Sequence, residues 1–100
     1  WNVVRGLYHA QAAGAHVVNL SLGAIVASKA LQDAVTYLHE KQVFCVSPVG
    51  NEGRNTLRYP AAFPEALGVA AVRSNDRRSA FSNFGTALVK LSAPGEAIVV

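Results

Sequence analysis

Two short apolar runs separated by one amphipathic segment constrain this chain more than any other feature. The runs are His16-Val17-Val18-Asn19-Leu20 and Val43-Phe44-Cys45-Val46. Each is short, rich in β-branched or aromatic residues and apolar on both faces, the pattern of a strand covered on each side in a parallel sheet. Between them, Ser28 is placed to cap a helix whose buried stripe is Leu31, Ala34, Val35 and Leu38, with the charge of Lys41 favouring its end. Parallel neighbours need such a crossover, and strand-helix-strand crossovers are right-handed.

The same alternation extends both ways. Val3, Val4, Leu7 and Ala10 recur at helical spacing from Asn2 to Ala13, and Gly14 is available to close that helix. Leu67 to Val72 reads as a third strand and Val89 to Ser92 as a last one. The X-Pro steps Tyr59-Pro60 and Phe63-Pro64 argue against a long helix between them, and Phe81 to Gly85 is a compact aromatic turn. Helix, strand, helix, strand is the signature of an α/β fold. Loops after the strands then gather at the C-terminal edge of the sheet, where such folds place their sites. Those loops hold "SLG" and "GNEG".

A length of 100 residues bounds this to one small domain. With 51% hydrophobic and 15% charged residues, the chain is built to pack rather than to stay disordered. The net charge of +3 is mild, and Arg73, Arg77 and Arg78 surround a polar turn without interleaved aromatics, so no nucleic-acid partner is expected. The single cysteine, Cys45, rules out a disulfide framework or a cysteine zinc site within the chain and suits a small buried hydrophobe. No apolar run approaches the ~18 residues of a membrane span, so no membrane partner is expected, and the N-terminus lacks signal-peptide order. Because it starts at Trp1, the chain is expected to be an excised part of a longer protein.

Glycines at positions 50 and 53 let the backbone turn sharply around Asn51-Glu52. An asparagine carboxamide held at such a turn can donate outward, as stabilising a developing oxyanion requires. From the stretch alone an ordinary turn is the favoured reading.

Five stretches carry a resemblance to a known family: "GAHVVNLSLG" (Gly14 to Gly23), "VFCVSPVGNEG" (Val43 to Gly53), "YPAAFPEALGVAAV" (Tyr59 to Val72), "FSNFG" (Phe81 to Gly85) and "APGEAI" (Ala93 to Ile98). In order and spacing they resemble the subtilisin-like serine peptidases, the subtilases or peptidase family S8. The resemblance implies a three-layer α/β/α fold with a mainly parallel sheet, present here incompletely as the central part, residues 1–100, of the peptidase domain. It implies that Asn51 is the side-chain donor of an oxyanion hole. It also implies that Ser21, Leu22 and Gly23 form one wall of the pocket for the substrate residue before the cut, that Pro48, Val49 and Gly50 form the other, and that Glu52 and Arg58 lie at its rim or floor. An inward Arg58 would favour an acidic or polar substrate side chain.

The resemblance further implies a peptide or protein substrate, no cofactor and an extracellular or periplasmic location. The family's catalytic aspartate and histidine would lie upstream of Trp1 and its serine beyond Val100, so this segment alone is expected to be inactive. His9, His16 and His39 are expected to be structural, since none has a serine and a carboxylate placed to act with it. A non-catalytic peptide-binding or assembly module derived from the same fold is the alternative. Either way the isolated segment is expected to self-associate through exposed sheet edges.

Three details also follow from the resemblance. Tyr59-Pro60 is expected to be cis. Leu88 and Lys90 stand where some members place carboxylates around a weak cation, so the Lys90 ammonium is expected to take the cation's role. Gln42 stands where relatives often carry a helix-closing glycine and must adopt the left-handed cap. The Asn19-Leu20-Ser21 sequon is discounted as part of a buried strand.

Overall fold

The computed structural model describes residues 2–99. Helix α1 spans Asn2–Ala12, strand β1 Val17–Asn19, helix α2 Lys29–Glu40, strand β2 Phe44–Pro48, strand β3 Ala66–Val72 and strand β4 Leu91–Pro94. The strands form one sheet in the order β1-β2-β3-β4, with every neighbouring pair parallel. This is an α/β/α arrangement with a parallel sheet, present in part.

Local chemistry sets the elements. Ser28 accepts from the Leu31 backbone N–H at 3.3 Å, capping α2. At the other end of α2, Gln42 takes the left-handed conformation, φ 61°, with its N–H on the His39 carbonyl. A glycine would adopt this more cheaply. The helix buries Leu31, Ala34, Val35 and Leu38, which join Leu7 of α1, Val43 just before β2, and Cys45 and Ala66 of the sheet in the main core. Burial also pushes the Cys45 thiol pKa up, keeping it an inert hydrophobe.

Alternation along the strands separates two faces. Cys45, Ser47, Ala66, Gly68 and Ala70 point to the covered face, under α2 and the Ala61–Leu88 cluster. Phe44 and Val17, which are register partners, are 57% and 58% exposed on the opposite face, together with Asn19 and Leu91. Asn19 is therefore exposed rather than buried, and its side chain donates to Ser21 Oγ at 2.9 Å. The sequence suggested burial on both sides because the apolar pattern says only that a face is to be covered, not that this chain covers it.

The last strand starts later than the expected Val89 to Ser92, at Leu91. Gly85 O accepts from the N–H groups of Leu88 and Val89, winding them into a turn, and pairing with β3 begins only at Lys90 N–H on Gly68 O. Leu88 is fully buried, and Lys90 Nζ donates to Ala61 O at 2.9 Å and Phe63 O at 2.7 Å. Tyr59-Pro60 is cis.

Candidate functional site

The strand ends build the site. Beyond β1 the chain runs extended through Ser21-Leu22-Gly23, and two backbone bonds between Ala24 and Tyr59, both 2.9 Å, fasten this segment to the one carrying Arg58. Ser47, fully buried near the end of β2, donates to Leu22 O at 3.4 Å and ties the two strand ends together. Along β2, Phe44 donates to His16 O and Val46 accepts from Leu20 N–H. Backbone groups of alternate residues point the same way, so the N–H that Pro48 lacks faces the β1 side, beyond the end of that strand.

A cleft of about 240 Å³ opens between these ends, lined by Ser21, Leu22, Gly23, Pro48, Gly50, Asn51, Glu52 and Arg58. The sequence-derived site residues are thus together, with one exception. Val49 is 1% exposed and packs with Ala61, Ala70 and Leu88, so it supports the wall from behind. His9, His16 and His39 are exposed and none lines the cleft. Among the described residues, no His, Cys, Asp or Glu cluster could hold a metal ion.

The loop 49–54 has a defined shape. Gly50 and Gly53 have φ of 104° and 66°, values a side chain would resist. Asn51 is exposed, its backbone N–H reaches Glu52 Oε2 at 3.3 Å, and among the described residues its carboxamide has no protein partner. Glu52 Oε1 accepts from Arg58 Nε at 2.8 Å and from Asn83 Nδ2 at 2.8 Å. The bond from Asn83 does most to hold the Glu52 carboxyl below its ordinary pKa; burial opposes it, and the charge of Arg58 adds a smaller lowering. Arg58 therefore lines the cleft already paired.

Sequence reasoning missed Asn83. Its side chain is fully buried, and Oδ1 accepts from the N–H groups of Glu52 and Arg54 at 3.0 and 3.2 Å, while Nδ2 donates to Val49 O at 3.0 Å and to Glu52. "FSNFG" signalled a turn, but a polar residue between two phenylalanines was the available hint that its middle points inward.

Solved structures of subtilisin-like proteases share this fold over most of the chain. The prenylagaramide maturation protease PagA superposes with a TM-score of 0.88 at 31% identity, covering 96% of this chain and 37% of PagA. The self-cleaved protease domain of PatA gives 0.86 at 36% identity, covering 94% of this chain and 38% of that one. The chain belongs to the subtilase family, peptidase S8, whose model matches residues 2–99. Thermitase of Thermoactinomyces vulgaris is 40% identical over 93 residues, 93% of this chain and 33% of thermitase. Subtilisin Savinase of Lederbergia lenta is 37% identical over 94 residues, 94% of this chain and 35% of that protein. The chain spans about a third of the length of these curated relatives.

Proposed function

We propose that residues 1–100 are the central part of a serine endopeptidase domain, contributing the oxyanion donor and part of the specificity pocket to hydrolysis of peptide bonds. The observation that supports this reading is the exposed Asn51, whose carboxamide has no protein partner among the described residues, lining one cleft together with the extended Ser21-Leu22-Gly23 segment. A substrate strand added along that segment would present its scissile carbonyl to the cleft. As the carbonyl carbon becomes tetrahedral, charge develops on its oxygen, and the Asn51 Nδ2–H stabilises that charge more than it stabilises the ground state. The nucleophile and its base come from the protein outside this segment. The reaction proceeds through an acyl-enzyme, and a secreted or periplasmic setting follows from the habit of the family.

The pocket for the residue before the cut contains the Glu52–Arg58 pair. Because Glu52 already balances the guanidinium, a polar uncharged side chain is preferred over a carboxylate. The isolated chain tests the division of labour. Incubated with a chromogenic peptide series, it turns over none of them, and its Asn51→Ala form behaves identically. Turnover that disappears in Asn51→Ala would place a nucleophile and base within these 100 residues and defeat the reading. An inactive full-length protein that still binds peptide would favour the non-catalytic module.

A further inference from the structure

We propose that Asn83 is a positioning residue for the oxyanion donor: it clamps the loop carrying Asn51 to the Phe81–Gly85 turn without itself lining the cleft. The inference rests on Asn51 being that donor.

Asn51 has no side-chain partner of its own among the described residues, so its direction is inherited from its backbone neighbours. Both neighbours are held by Asn83. The Gly50 carbonyl accepts from the Asn83 backbone N–H at 3.0 Å, and the Glu52 N–H donates to Asn83 Oδ1 at 3.0 Å. The same carboxamide reaches Val49 O, one residue beyond Gly50, and Arg54 N–H, two residues beyond Glu52.

Its two acceptor sites and two donor hydrogens are all used, which fills the capacity of the group. The network also fixes its orientation, since a flipped amide would set N–H against N–H. A Cβ at Gly50 would come within 2.5 Å of Asn83 Nδ2, so the loop closes onto this side chain as tightly as a glycine permits. Because Nδ2 also holds Glu52 Oε1, one buried residue sets both the donor and the acid of the specificity pocket.

A group displaced by ~1 Å from its productive position can cost about 100-fold in rate. The test uses the full-length protein with Asn51→Ala, Asn83→Ala and the double variant, measuring kcat, KM and hydrogen exchange at the Glu52 and Arg54 amides. Asn83→Ala is expected to lower kcat at least about tenfold with a smaller change in KM, and to strip protection from both amides. The losses are expected to be strongly non-additive, the double variant lying within about twofold of Asn51→Ala.

Additive losses would show that Asn83 acts other than through Asn51 and would overturn the proposal, as would retained amide protection in Asn83→Ala. If Asn51→Ala alone leaves kcat unchanged, the donor reading fails, which the single variant shows directly, and the positioning role falls with it. Should Asn83→Ala not fold, Asn83→Asp keeps both acceptor bonds and gives up both donor bonds. It is expected to keep amide protection and lose kcat, and wild-type kcat in that variant would overturn the clamp.

Discussion

Two asparagines do opposite work with the same side chain. Asn83 is buried with every side-chain polar atom bonded inside the protein, whereas Asn51 is exposed and, among the described residues, its side-chain donors have no partner. Their link is Glu52, whose ionised form is favoured in the folded state. A carboxyl with a lowered folded pKa contributes stability that is present above its unfolded value and lost as pH falls through the folded value. We expect Glu52, followed by NMR titration, to stay ionised below the ordinary glutamate range, and Asn83→Ala to move it upward. An ordinary titration in the unaltered chain would contradict the bonding seen around it. Asn51 was legible because flanking glycines and a known motif mark it. Asn83 was not, because its partners are backbone groups and a carboxylate about thirty positions earlier in the chain, and no local pattern encodes so distant a pairing.

Among the elements, α2 was read almost to the residue, since the Ser28 cap and a stripe at helical spacing are both local signals. The β4 boundary was misread because Val89 is β-branched in an apolar stretch, while a turn closed on the Gly85 carbonyl holds it back and the Gly68 carbonyl of β3, a tertiary partner, decides where pairing starts. Leu38 lies at the centre of the helix-sheet contact and is fully buried. Leu38→Ala should cost about 2–5 kcal/mol by denaturant unfolding, from lost burial and the cavity left behind. A cost below ~1 kcal/mol would mean that α2 is not held as described.

The turn before β3 depends on Lys90, whose burial lowers its pKa while the nearby Glu65 charge partly opposes the shift. The folded state holds this proton less tightly than the unfolded one. The resulting penalty is fully present below the folded pKa and is relieved as pH rises from the folded toward the unfolded value. At neutral pH the ammonium still supplies two carbonyls with donors. Lys90→Met is therefore expected to destabilise the fold by about 1–3 kcal/mol, the cost of leaving a buried acceptor unpaired. A more stable Lys90→Met protein would assign Lys90 no structural task.

At the scale of the whole molecule, one face of the sheet packs and the other shows Val17, Phe44 and Leu91 to solvent. Covering such side chains is worth roughly 1.5–3 kcal/mol each. The isolated chain should therefore self-associate, and sedimentation should show Phe44→Lys moving it toward monomer. A monomeric unaltered chain would refute this.

On the proposed reading, this segment supplies the oxyanion donor to a catalytic site completed elsewhere in the protein. The most direct test is steady-state kinetics of the full-length protein with and without Asn51→Ala. A loss of about 10²- to 10³-fold in kcat with KM little changed is expected, a magnitude taken from deleting this donor in a subtilisin relative. An unchanged kcat would contradict it.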